Sequence, residues 1–259
     1  LLAVVAWFIV PESPKWLAQE QHQSAMGKQV GMSEIFSPPH LRLTIIGIVL
    51  AFVPLFGGWG VANWANYWAD EFNQQATANQ DIGDDGSKTQ EAASSKKIKI
   101  SAAQSSFHRS WPGAISSLLG GALAFLVGRR LSYALLCVLA FTCTQFLYSV
   151  PDPSADGFLF WVRGLGFFSG FFFGWLPLCL PEMFPTRVRS TGSGVSFNFG
   201  RIIVAVLIIM TSLALKSYFE GSYDQVGRVC GYVYLLGVVA VFLLPPNAKN
   251  SQQGGVRHI

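Results

Sequence analysis

Six long apolar stretches alternate with polar ones along the chain: 43–68, 111–127, 131–150, 157–180, 195–215 and 226–244. A seventh, 1–10, is about half as long and closes at Pro11. A bilayer core asks for roughly 20 residues of helix at about 1.5 Å each. Five of the six stretches have that length. The stretch 111–127 is short, and the pattern extends it back toward Phe107. Each is expected to be a helix, because a lone strand in lipid leaves its backbone groups unsatisfied. Buried helices of a soluble protein are the alternative, but six in succession, nearly free of charge, argue for membrane spans. The run 1–10 reads as the end of a truncated span.

The connections suggest an orientation. With 11–42 on the cytoplasmic side, the inner connections hold Lys15, Lys28, Arg42, Arg129, Arg130, Arg187, Arg189, Lys249 and Arg257. The short outer ones hold Lys216 and Arg228. This asymmetry follows the positive-inside rule. The long outer insert 70–106 mixes acids and lysines with Gln, Ser and Gly, a composition of loosely held segments. The expected organisation is a span end (1–10), a cytoplasmic connection (11–42), a six-helix bundle (43–244) with its outer insert, and a cytoplasmic tail (245–259). In 33–39, a short interfacial helix N-capped by Ser33 and stopped by Pro38 is expected.

Composition narrows the class. Of 259 residues, 51% are apolar and 12% charged, half the roughly 25% charge of an ordinary soluble domain. The net charge of +4 resides in connections, so no basic stripe points to nucleic acid. Cys137, Cys143, Cys179 and Cys230 all lie in apolar stretches without metal-ligand spacing and read as small apolar filler. No nucleophile–base pair, metal motif or phosphate-cradling loop is present, so neither an enzyme nor a cofactor is expected.

Three strings carry a resemblance. Pro11-Glu12-Ser13-Pro14-Lys15-Trp16-Leu17 follows the first apolar run. Pro181-Glu182-Met183-Phe184-Pro185-Thr186-Arg187-Val188-Arg189 follows the fourth full stretch. Gly121, Phe125, Gly128, Arg129 and Arg130 form the third, with Phe125 where an acid is usual. Together they resemble the C-terminal half of sugar-porter-like transporters of the major facilitator superfamily, from the end of helix six through helix twelve. Their order and spacing agree with that placement. The acid usual after the last helix is absent at Pro245-Pro246-Asn247. The resemblance implies an all-α membrane bundle, multi-pass in the plasma or inner membrane, that carries a sugar or organic acid by alternating access. It implies a missing N-terminal six-helix half as partner and allows a proton as coupling ion. No full span holds an interior Asp, Glu or His, so a coupling carboxylate would belong to the other half. A regulator that kept the fold and lost transport is the rival reading, motivated by the two altered strings.

The candidate residues follow. Glu182, Arg187 and Arg189, with Glu12, Lys15, Arg129 and Arg130 of the other strings, are expected as gate elements at the inner face. Carboxylate–guanidinium pairs there would break as the halves rock. Anchoring to anionic head groups is the plainer use of the arginines. Asn63 and Tyr67 lie four apart on one helical face and resemble part of the helix-seven string of sugar porters. They follow Gly57, Gly58 and Gly60, with Trp59 among these glycines, which are expected to let the helix unwind at midplane depth. Arg163, inside the fourth stretch, either meets an anionic solute or snorkels to the outer interface. Trp175 supplies an aromatic face, and Asn198 with Arg201 either lines the inner mouth or tethers the neighbouring helix. The stripe Gly166, Gly170, Gly174 is expected to be a packing face.

If the orientation holds, single cysteines placed at positions 129 and 187 will react with a membrane-impermeant maleimide only after the cells are opened. Labelling of intact cells would reverse the assignment.

Overall fold

The computed structural model describes residues 32–38, 40–82 and 100–244. Two of the expectations, the span end 1–10 and the tail 245–259, lie outside these residues, as does most of the connection 11–42. Among the described residues there are eight α-helices: α1 (Leu41–Leu55), α2 (Ala62–Ile82), α3 (Ala102–Leu126), α4 (Arg129–Leu147), α5 (Asp156–Glu182), α6 (Arg189–Ser217), α7 (Tyr223–Gly231) and α8 (Val233–Phe242). A π-helical turn, Phe56–Val61, joins α1 to α2, so 41–78 is one rod of 38 residues. Short 3₁₀ turns occupy Met32–Phe36 and Thr186–Val188. The bundle is all-α.

Five helical segments are long and apolar enough to cross a membrane: Leu41–Ala78, Arg129–Leu147, Asp156–Glu182, Thr186–Ser217 and Tyr223–Phe242. The sixth expected span, α3, is a different kind of helix. Its 25 residues reach about 37 Å, enough for a roughly 30 Å core. Its first two turns, however, carry Gln104, Ser105, Ser106, His108, Arg109 and Ser110.

The insert 70–106 is smaller than its composition implies. Helix α2 continues through Asp70 to Ile82, and α3 begins at Ala102. Side chains close the two ends on each other. The Asp70 carboxylate accepts from the Ala102 N–H at 3.0 Å, and the Asn73 amide donates to the Ile100 carbonyl at 2.8 Å. Ser101 and Gln104 form a reciprocal capping box, which satisfies two of the free N–H groups that start any helix. Polar composition marked the segment as loose, but its polar groups tie α2 to the start of α3 and cap that start. At the other end, 3₁₀ turn Met32–Phe36 contains Ser33 rather than being capped by it, and the Ser37 hydroxyl donates back to the Ser33 carbonyl.

Helices α3 and α5 approach at backbone distance. A Cβ placed on Gly174 would lie 2.1 Å from the Ser117 carbonyl oxygen, and one on Gly120 would lie 2.2 Å from that of Phe171. Gly166 and Gly170 meet Arg109 and Gly113 in the same way. The period of four expected from the sequence is therefore the seam along which α3 is held, through close packing of small residues. The turn from α3 into α4 pivots on Gly128 at φ 93°, a left-handed conformation open to glycine.

The main core lies between the α1–α2 rod, α4, α5 and α8, with Tyr133, Phe172, Trp175 and Tyr234 at its centre. A smaller cluster of Ile35, Phe184 and Val188 seats the first 3₁₀ turn on the α5–α6 link. At this basic end, Arg42 donates to the Leu243 carbonyl at 3.2 Å and Arg130 to that of Leu244. Guanidiniums from the starts of α1 and α4 thus cap the negative end of the last helix. At the opposite end, Arg228 donates to the Tyr148 carbonyl at 2.6 Å and Gln145 donates to that of Arg228 at 3.1 Å.

Gly174→Leu is expected to lower stability by about 3 kcal/mol, because the added side chain must push two backbones apart. Thermal unfolding in detergent checks this. A value near wild type would show that α3 and α5 are free to separate.

Candidate functional site

The site begins with a proline. Pro54, inside α1, has no N–H, so the carbonyl four residues earlier loses its helical donor. That carbonyl belongs to Leu50, and the Tyr133 hydroxyl, fully buried, donates to it at 2.8 Å. The helix then widens into the π turn Phe56–Val61, which contains Gly57, Gly58 and Gly60. The expectation of an unwound segment is corrected here: the rod widens by one residue per turn without breaking. Such turns re-aim backbone groups and recur at functional sites.

Two more helices supply donors to this turn. Arg109 of α3 donates through Nη1 to the Gly58 carbonyl at 2.8 Å. The Tyr148 hydroxyl, at the end of α4, donates to that of Val61. Tyr234 of α8 lies against Gly57, where any Cβ would overlap its hydroxyl oxygen at 2.2 Å. Glycine at position 57 is therefore required by this close approach.

Beside the turn lies a cavity of about 280 Å³ lined by Trp59, Gly60, Asn63, Trp64, Tyr67, Ile208, Ser212, Leu215 and Tyr223. Three of the expected substrate residues, Trp59, Asn63 and Tyr67, come together here. Trp59 and Tyr67 are 58% and 55% exposed, so their rings are available to a ligand. The Asn63 side-chain carbonyl accepts weakly from the Asn66 amide at 3.4 Å. Trp64 packs on Tyr67 and Tyr223, and its indole N–H is buried without a hydrogen-bond partner.

The other candidates lie elsewhere. Trp175 is 1% exposed, packs at a tilt against Tyr133 with ring centroids 4.8 Å apart and donates to the Arg129 carbonyl. It is a packing residue between α4 and α5. Arg163 is exposed and donates through Nε to Nδ1 of His108 at 3.2 Å. Asn198 donates to the Gly194 carbonyl of its own helix, and Arg201 is exposed beyond it. Neither is near the cavity-lining set.

At the basic end the charges pair differently from the expected grouping of Glu182 with Arg187 and Arg189. Glu182 pairs with Arg129, joining the second and third strings across α4 and α5. Arg187 pairs with Glu34 at 2.9 Å, joining the α5–α6 link to the first 3₁₀ turn. Arg189 makes no ion pair among the described residues, and Arg130 is occupied at the Leu244 carbonyl. Phe125, at the position of the usual acid, is exposed at 87%. Glu12 and Lys15 lie outside the described residues.

Sequence reasoning missed Arg109, Tyr133 and Tyr148. Arg109 lies between the polar insert 70–106 and the apolar stretch 111–127, and drew no reading of its own. The Ser101-x-x-Gln104 pattern was the available signal, because it starts the helix early enough to carry Arg109 inward. The tyrosines have no local signature, since their carbonyl partners lie far away in sequence.

Tyr133→Phe is expected to cost about 1–3 kcal/mol, the price of leaving the Leu50 carbonyl buried and unpaired. Adding Pro54→Ala restores a backbone donor, so the double variant should be less destabilised than the sum of the single ones. Thermal melts of the four proteins in one detergent measure the coupling; strict additivity would remove this account of the tyrosine.

No family model matches the chain, and no solved structure matches it. Curated relatives do. The cis,cis-muconate transport protein of Acinetobacter baylyi is 26% identical over 98% of this chain and 56% of its own length. The sialic acid transporter NanX of Escherichia coli is 26% identical over 82% of the chain and 44% of its own. An uncharacterized MFS-type transporter of Schizosaccharomyces pombe is 32% identical over 54% of the chain and 24% of its own. The chain thus spans about half, or less, of the length of the curated relatives it matches. With five helices among the described residues long and apolar enough to cross a bilayer and relatives that are named transporters, the chain is a multi-pass membrane protein similar in sequence to transporters of the major facilitator superfamily.

Proposed function

We propose that this chain forms the C-terminal half of a secondary transporter that moves a small organic solute across the cell membrane by alternating access. The observation that carries this reading is the π turn at the middle of the longest span, set beside a cavity whose walls combine the Asn63 amide, the Ser212 hydroxyl and the rings of Trp59 and Tyr67. Amides, hydroxyls and aromatic faces in a concave, largely apolar site are the means by which proteins hold small polar solutes. In transporters of this architecture the solute sits near midplane, where irregular helix lines a cavity. The muconate and sialic acid relatives supply the solute class, sugars and organic acids.

The ion pairs at the basic end would serve as the inner latch. Arg129–Glu182 and Arg187–Glu34 tie α4, the α5–α6 link and the first 3₁₀ turn together. A second bundle rocking against this one would strain those links while leaving the glycine-packed α3–α5 pair intact. A proton is the coupling ion in this reading, taken up by a carboxylate of the other half.

Uptake of labelled muconate, sialic acid and glucose into proteoliposomes tests the proposal on the protein expressed from its own gene. Accumulation of at least one solute is expected. Asn63→Ala and Tyr67→Ala are each expected to reduce that uptake about tenfold, the effect of losing one polar or aromatic contact of roughly 1.4 kcal/mol. Binding without any accumulation would replace transport by the sensor reading, and uptake indifferent to both substitutions would move the solute away from this cavity.

A further inference from the structure

Arg109 is a charged side chain where few are tolerated. Among the described residues its hydrogen-bond partner is Gly58, in the middle of the 38-residue rod 41–78. The side chain is held between the rod and the α3–α5 seam, since the Arg109 backbone itself meets Gly166. A guanidinium remains charged in any protein setting and offers five N–H donors. Here one nitrogen, Nη1, meets the Gly58 carbonyl, while Nε is buried without a partner. No carboxylate among the described residues pairs with it; the ion pairs found there are those of Arg129 and Arg187.

An intramembrane cation without a counter-charge is costly, and such groups ordinarily mark a substrate or ion path. Two neighbouring hydroxyls are in the same unfinished condition. Ser105, one turn earlier on the same face of α3, has a buried hydroxyl with no partner. Tyr234, whose hydroxyl lies against Gly57, has none either. Donor groups beside the π turn are thus left open, and two residues of that turn, Trp59 and Gly60, line the cavity. Arg163, by contrast, is exposed and already bonded to His108.

We propose that Arg109 is the anion-binding residue of this transporter, receiving a carboxylate of the solute at its free guanidinium edge beside Gly57–Gly58 and restricting the cargo to small organic acids. This deepens the transport reading above and rests on it. The Gly58 carbonyl fixes the guanidinium plane, so the arriving carboxylate meets an oriented fork rather than a mobile charge. Arg109 does not itself line the cavity of about 280 Å³, but the π turn it holds at Gly58 supplies Trp59 and Gly60 to the cavity wall, which joins the two sites through one turn of backbone. The solute then supplies a counter-charge that no described residue provides, which gives the loaded site an electrostatic advantage over the empty one.

The test compares wild type, Arg109→Gln and Arg109→Lys in the purified protein, with muconate, sialic acid and uncharged glucose as probes. Wild type is expected to bind at least one of the two acids. Arg109→Gln should weaken that binding about 100-fold, the scale of losing one partner of a buried charge pair. Arg109→Lys keeps the charge without the fork and should lose roughly tenfold; it also serves if the glutamine variant does not fold. Bound acid should raise the melting temperature of wild type and leave that of Arg109→Gln unmoved. If either variant lowers stability while acid affinity stays at the wild-type value, Arg109 is only a clamp on Gly58 and the proposal is overturned. If wild type binds and accumulates glucose but neither acid, the proposal falls and transport stands. If wild type moves no solute at all, transport falls and the proposal with it.

Discussion

In hydrocarbon, a backbone carbonyl that loses its helical donor has no water to turn to. Pro54 imposes that situation on Leu50, and the π turn that follows opens further carbonyls at Gly58 and Val61. Tyr133, Arg109 and Tyr148 close them from two other helices. The irregular rod is therefore not self-sufficient. It holds its shape because α3 and α4 stand at defined distances from it, and those distances depend in turn on the glycine seam between α3 and α5. The polar site and the packing of the bundle are consequences of the same deficit.

This dependence explains the contrast between α3 and the other spans. A helix with serines, a histidine and an arginine in its first turns is poorly suited to face lipid on every side. It is accepted because Gly113 and Gly120 press it against Gly166, Gly170 and Gly174, so that Arg109 meets the rod and His108 meets Arg163 of α5. Small residues here give proximity, and proximity lets the Arg109 side chain reach the rod.

The apolar stretches, the family strings and the glycine stripe were legible in the sequence because each is a local pattern with a fixed period or spacing. The grouping of Trp59, Asn63 and Tyr67 was legible for the same reason: positions four apart on a helix share a face. What sequence could not reveal were contacts set by the fold. Glu34 and Arg187 are 153 residues apart, and Tyr133 lies 83 from Leu50; no periodicity links such positions. Trp175 was misjudged because an aromatic side chain in a span looks the same whether it faces a ligand or a neighbouring helix. The segment 70–106 was misjudged because average polarity hides individual caps. Asp70, Ser101 and Gln104 all bond backbone groups at the start of α3, and composition counts them only as hydrophilic.

The end of the last helix has a wider consequence. Its terminal carbonyls, at Leu243 and Leu244, receive Arg42 from the start of α1 and Arg130 from the start of α4, residues 201 and 114 positions away. Three termini remote along the polypeptide are thereby tied into a single hub on one side of the bilayer. A change in the register or length of α8 is accordingly transmitted to two other helices through hydrogen bonds alone. The end of α8 thus serves as a keystone, fixing where α1 and α4 begin relative to it.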